Sequence, residues 1–361
     1  MIENSEVDGF GHICTDTSFS LNDERLSLTE TLISTKSTLD RADASSKLLD
    51  IFRGEWREIF RVCKGRPIVI YLLQGHLGKF FPDSNSNLAA ELAVKLNKDV
   101  ARIRETFCEL FAINPSFALG GSRIALTYPF ITELQVRAMI EAAVDIRKED
   151  PHNLVHCNIC ISNCTSTEEV KRVTKQVIQI GQDILAENEM LELPVFSVGI
   201  QIDTVKLALI VKDWVKYVTF ITFDTTHLTE LILGVAIQDR HLYYGNYLLQ
   251  DIIQNDSFKT IDHDCFKIIQ RACLLARKAS PNLTIGIDGC IHDERTMSLL
   301  SSLPIQYINV HQKYAATTKI ACAQSRIKAR TAGHFKEHHS VDEHDSNFFA
   351  NAFFPNFNLS G

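Results

Sequence analysis

Polar and apolar positions change rhythm repeatedly along this chain. From about Gly65 onward, short β-branched runs alternate with longer stretches whose apolar residues recur at three and four. That alternation predicts βα units and a parallel sheet. The runs Pro67–Leu73, Arg123–Thr127, Val155–Asn163, Val195–Ile202, Val215–Asp224, Leu283–Asp288 and Ile305–Val310 read as strands. Helices are expected over Lys47–Val62, Thr132–Arg147, Thr167–Leu185, Asp262–Lys278 and Glu294–Leu300, with another following from Ala315. The pattern suits a (β/α)8 TIM-like barrel whose missing strand lies near the N-terminus; a doubly wound sheet is the alternative. The organisation expected is a lead-in over 1–64, a barrel over 65–330, and a tail over 331–361 that packs through its Phe residues if at all.

In a barrel, chemistry gathers where strands run out into βα loops. Gln74, Asn163, Gln201, Asp224, His227, Asp288 and His311 fall at or just beyond predicted strand ends. Such residues are also ordinary turn formers.

Composition narrows the partners. A formal net charge of -7 gives no reason to expect nucleic acid or an anionic membrane, both of which reward clustered Lys and Arg. The first residues lack a basic region followed by an apolar run, and the first basic side chain is Arg25, so neither a secretory signal nor a transit peptide is expected. The most apolar stretches, Val195–Val211 and Tyr217–Ile237, are interrupted by Asp203, Lys206, Asp224, His227 and Glu230. A cytoplasmic protein without a membrane span is the expectation.

Several ordered motifs carry a family resemblance. Asn114 to Ala138 is similar to N-P-M-L-G-x-R-G-x-R-L-x-x-T-Y-P-E-I followed by M-Q-x-R-A, and Arg66–Pro82 resembles R-P-V-T-I-R-L-L-D-P-P-L-H-E-F-L-P. Phe223–Glu230 resembles F-G-T-N-D-L-T-Q, Gly286–Gly289 resembles G-I-C-G, and Tyr307–Gln324 is similar to a closing strand and helix ending A-A-A-Q. In the same order, these motifs build the phosphoenolpyruvate/pyruvate-binding (PEP-utilising enzyme) domain of pyruvate phosphate dikinase. The resemblance implies a barrel in which Mg²⁺ holds the enolate of pyruvate and a phosphohistidine from another domain delivers the phosphoryl group. Neither that domain nor an ATP-binding domain fits in the remaining residues, so the whole cycle is not expected of this chain alone.

The resemblance also implies that the site is degenerate. The family's two metal-binding carboxylates fall on Gln201 and His227, and a neutral amide is a far weaker Mg²⁺ ligand than a carboxylate. The family's arginines fall on Cys14, Tyr71 and Gly120, while Arg123 persists as either a structural ion-pair partner or a substrate contact. The acid/base cysteine falls on Asp288, which could exchange protons but lacks a metal-bound enolate to act on. No cofactor is expected.

Three other clusters have bland and chemical readings. Asp224, His227, Asp288 and His311 could form a mixed N/O metal site if they converge. His156, Cys157, Cys160 and Cys164 contain half a zinc motif but read as core cysteines, because alternate strand positions face apart. His334, His338, His339 and His344 lie among acids in the tail and read as a solvated segment.

The leading expectation is a catalytically inactive homologue with a structural or regulatory role, a possible homodimer with a possible protein partner. The alternative is a divergent phosphotransferase-like enzyme or metabolite-binding protein, still holding phosphoenolpyruvate through Arg123, Thr225 and Thr226.

Overall fold

The computed structural model describes residues 7–81, 88–95, 99–111, 118–191, 195–289 and 293–331. In chain order the elements are β1 (Phe10–Cys14), α1 (Asp23–Ser34), α2 (Thr38–Cys63), β2 (Ile68–Tyr71), α3 (Leu88–Lys95), α4 (Val100–Leu110), α5 (Ser122–Thr127), α6 (Pro129–Glu149), β3 (Cys157–Ile161) and α7 (Thr167–Glu187). Then come β4 (Phe196–Ile202), α8 (Val205–Leu209), α9 (Val211–Trp214), β5 (Phe220–Asp224), α10 (Thr225–Leu233), α11 (Tyr244–Leu249), α12 (His263–Ala279), β6 (Thr284–Asp288), α13 (Glu294–Leu300), β7 (Tyr307–Asn309) and α14 (Ala315–Thr331). The strands follow one another as β1 to β7 in one seven-stranded sheet of an α/β TIM-like barrel.

Two compact units divide the chain. The first contains Ile13–Asn163 and Lys175–Phe196. Its long helix α2 starts at Ser37, whose side chain accepts the Asp40 N–H, and ends at Lys64 in the left-handed region. Between these caps Ala44, Leu48, Phe52, Trp56, Phe60 and Cys63 recur at three or four and are all buried, making the stripe that packs on α6. Arg53 bridges to Glu141 and Asp145 of α6 at 2.9 and 2.7 Å, flanking that contact. Strands β2 and β3 pair in parallel, Ile68 opposite Cys157, and every residue in both is buried. A parallel sheet in a barrel is covered on both faces, by helices outside and by packed strand side chains inside, which is why these strands read as continuous apolar runs.

The second unit contains the stretch through His12, Cys164–Thr174 and the chain from Ser197. Here β4 to β7 pair in parallel, with α12 packed on α8, α9 and α10. None of the described helices is long and apolar enough to cross a membrane.

Most expected elements form, with shifted ends, and β1 is the strand anticipated near the N-terminus. Arg123–Thr127 is a correction: the segment is helical α5, not a strand. A short apolar run carries no usable period, and Gly121 at φ 53° starts a turn instead, with the Ser122 N–H on the Ser162 carbonyl at 2.9 Å. Val215–Asp224 also divides, into a 3-10 turn at Val215–Tyr217 and then β5. Helices α3 and α4 were not anticipated.

Candidate functional site

In the second unit the strand register builds a row of polar side chains. Asp224 at the end of β5 lies opposite Asp288 of β6, and Asp288 lies opposite Asn309 of β7. Register partners in a parallel sheet project to the same face on strands ~4.8 Å apart, so the three groups are brought side by side. Gln201 joins them from β4, where it lies opposite Thr222.

Each carboxylate is held by named donors. Asp224 caps α10: its Oδ1 accepts the His227 N–H at 2.9 Å, and its Oδ2 accepts Gln201 Nε2 at 3.3 Å. Asp288 is buried, with Asn309 Nδ2 donating to Oδ1 at 2.6 Å and His12 Nδ1 facing Oδ2 at 3.5 Å. The Thr225 hydroxyl donates to the Asp288 carbonyl at 3.0 Å, and His227 Nδ1 faces Glu230 Oε2 at 3.3 Å.

Two glycines make this closeness possible. A Cβ at Gly289, whose φ is 136°, would lie 2.0 Å from the Thr225 hydroxyl, and one at Gly11 would lie 1.9 Å from Asn309 Oδ1. The neighbouring His12 adopts φ 56°, a strained conformation for a residue with a side chain, and its imidazole is 44% exposed.

Burial is the main cause that pushes the Asp224 carboxyl above its ordinary pKa, and the charge of Asp288 acts in the same direction. The His227 N–H and the charges of His227 and His12 oppose it.

In the first unit, polar groups around the strand ends, including Gln135 of α6, mainly serve the backbone. Gln135 Oε1 accepts both the Leu73 N–H at 2.8 Å and the Thr15 hydroxyl at 2.6 Å. Asp16 accepts the Gln74 and Gly75 N–H groups at 3.0 and 2.8 Å and pairs with Lys79. The Cys14 thiol donates to Gln74 Oε1 at 3.1 Å, Tyr71 is fully buried, and Arg123 Nη1 donates to the Ala118 carbonyl at 2.9 Å. A Cβ on Gly120 would lie 2.2 Å from the Gln74 carbonyl, so a larger side chain has no room there.

Gln201, Thr225, His227 and Asp288 are thus neighbours of Asp224 or of one another within the second unit, with Thr226 on the first turn of α10. Arg123 belongs to the first unit. His311, the fourth member of the conditional N/O cluster, is exposed, and its ring accepts the Lys313 N–H at 3.3 Å. Cys157, Cys160 and Cys164 are buried, and desolvation pushes the Cys157 thiol up. Among the described residues no three His, Cys, Asp or Glu side chains are grouped to hold a metal ion. Cys290, His292 and the tail histidines lie outside the described residues.

Sequence reasoning missed His12 and Asn309. Asn309 had a signal, a polar residue at the end of a predicted strand. His12 had none, since its partner lies 276 residues along the chain and only the tertiary fold brings them together.

A family model for the PEP-utilising enzyme, PEP-binding domain, matches residues 1–327. The chain belongs to this family. Relatives include the chloroplastic pyruvate, phosphate dikinase of Flaveria bidentis, 28% identical over 325 residues, covering 89% of this chain and 34% of that protein. The pyruvate, phosphate dikinase of Rhizobium meliloti (strain 1021) is 26% identical over 327 residues, covering 90% of this chain and 36% of its own length. This PEP-binding-domain chain therefore spans about a third of the length of the curated relatives it matches.

Proposed function

We propose that this chain is a PEP-binding-domain homologue that no longer performs Mg²⁺-dependent enolate chemistry and serves a structural or regulatory role. The observation that carries the reading is Gln201. At the position of a family metal carboxylate stands a buried amide that donates its N–H to Asp224. A hard divalent cation requires oxygen donors, preferably anionic, and an N–H aimed into the site repels it. His227, at the other carboxylate position, offers nitrogen and faces Glu230. Asp224 and Asp288 supply negative charge, but Gln201 Nε2, the His227 backbone N–H and Asn309 Nδ2 already donate to their oxygens, and His12 Nδ1 lies 3.5 Å from Asp288 Oδ2. These residues do not fit the family's Mg²⁺.

The anion-binding side of the chemistry is weakened in parallel. An enolate or phosphoryl group needs preorganised cations. Cys14, Tyr71 and Gly120 stand where the family has arginine, and the Arg123 guanidinium has a backbone carbonyl as one partner. A cytoplasmic homodimer that binds another protein is consistent with this reading.

Exchange of the pyruvate methyl protons with deuterated solvent tests the loss of enolate chemistry. With Mg²⁺ and the full chain, exchange at the solvent rate is expected; Mg²⁺-dependent acceleration overturns the reading.

A second reading, a divergent enzyme or metabolite-binding site, is favoured by His12. Its half-exposed imidazole is set against the buried Asp288 carboxylate, an arrangement suited to proton transfer. A metabolite that raises the melting temperature of the wild type but not of H12A supports this reading; the same shift in both removes it.

A further inference from the structure

The final described helix is amphipathic in the inverted sense. Its inner face, against α13, carries Thr318, Ala321 and Ser325, all buried and small or polar. Ser325 meets Ser301 at 3.4 Å, and the Cys322 thiol meets Met297 Sδ at 3.3 Å. The outer face carries Ala316, Ile320, Ala323 and Ile327, spaced four, three and four, which places them within one narrow stripe. All four are exposed, Ile320 at 59% and Ile327 at 64%. A helix that has packed only one side places its large apolar residues inward. The reversed pattern is that of a helix with a second contact to make.

Charge narrows what covers the stripe. Lys319 and Arg326 run along one edge of it, and α14 contains no acidic residue. A second copy of α14 would bring basic against basic. The chemistry that fits is an acidic stretch followed by large apolar side chains.

The chain itself supplies that sequence directly after α14. Residues 334–345 hold Glu337, Asp342, Glu343 and Asp345 against the single Lys336, and the uncharged stretch that follows contains Phe348, Phe349, Phe353, Phe354 and Phe357. Length permits the contact. Ala316 to Ile327 covers roughly 16 Å of helix, at ~1.5 Å per residue. An extended chain covers ~3.3 Å per residue, so the stretch 332–347 can reverse direction and bring the Phe-rich segment back along the helix. Tethering gives the pairing a high effective concentration, and the contact needs no partner in solution.

We infer that the outer face of α14 is the docking surface for the chain's own acidic, Phe-rich C-terminal segment, residues 342–357. The proposal is independent of what the strand-end cluster binds.

Photo-cross-linking in the full chain tests it. A benzoylphenylalanine replaces Ala323, between the two isoleucines, and another replaces the exposed Leu39 of α2 as a reference. After irradiation of mixed ¹⁴N and ¹⁵N protein, mass spectrometry is expected to find cross-links from position 323 to 342–357 within one isotope population. Combining F348S, F349S, F353S and F354S is expected to lower their yield about tenfold, as befits loss of several buried aromatic groups. Mixed-isotope pairs joining two copies of α14 overturn the proposal. So does a yield no greater than at position 39, or a yield that the four substitutions leave unchanged.

Discussion

Both units gather polar residues of similar kind around their strand ends but put them to different use. In the first, Gln135 of α6 and Asp16, just past β1, take backbone N–H groups of 73–75, so their side chains hold a loop in place. In the second, Gln201, Asp224, Asp288 and Asn309 face one another, and Asp224 also caps α10. A polar residue at a strand end is therefore not evidence of chemistry until its partners are known. Side chains committed to backbone are scaffold, whereas carboxylates held by other side chains remain sensitive to protons and ligands.

The largest effect expected is in the scaffold. Gln135→Leu leaves the Leu73 N–H and Thr15 hydroxyl without their shared acceptor in the interior, and is expected to lower stability by about 2–4 kcal/mol in urea unfolding. A loss below about 1 kcal/mol would show that the loop does not depend on Gln135. Next comes Asn309→Leu, which removes a 2.6 Å donor from the buried Asp288. The expected loss is about 1.5–3 kcal/mol, as for hydrogen bonds to charged groups.

Asp224→Asn distinguishes the units by sign. Folding raises the Asp224 pKa, so this carboxyl favours the folded state below its unfolded pKa near ~4, and that contribution is lost as pH rises through the folded value. The amide keeps the helix cap and removes a like charge beside Asp288. Relative to wild type, D224N is expected to gain stability as pH rises above ~4, read from urea unfolding at a series of pH values. A constant difference across pH contradicts the raised carboxyl. The smallest effect expected is for Lys79→Ala, which removes a partly exposed ion pair with Asp16 and is expected to cost about 0.2–1 kcal/mol, diminishing in salt.

Much of the fold was legible because buried parallel strands and amphipathic helices impose periods on local sequence. Pro67–Leu73 and Asp262–Lys278 contain β2 and most of α12. Arg123–Thr127 was misread because five residues are too few to separate helix from strand, and the deciding feature was the turn at Gly121. Part of the site was also visible: Gln201, Asp224, His227 and Asp288 are placed by strand ends and motif position. His12 was invisible because a tertiary pairing across 276 residues leaves no periodic trace. His311, two residues past the last strand, shows the limit of the same rule: Asn309, the strand's last residue, is the one that reaches Asp288.

The central claim is that the groups replacing the family's carboxylates and arginines no longer hold a divalent cation with an enolate-like anion. Calorimetric titration of the full chain with oxalate, with and without Mg²⁺, tests it most directly. The account predicts no heat of binding that depends on Mg²⁺; oxalate binding that tightens when Mg²⁺ is added would contradict it.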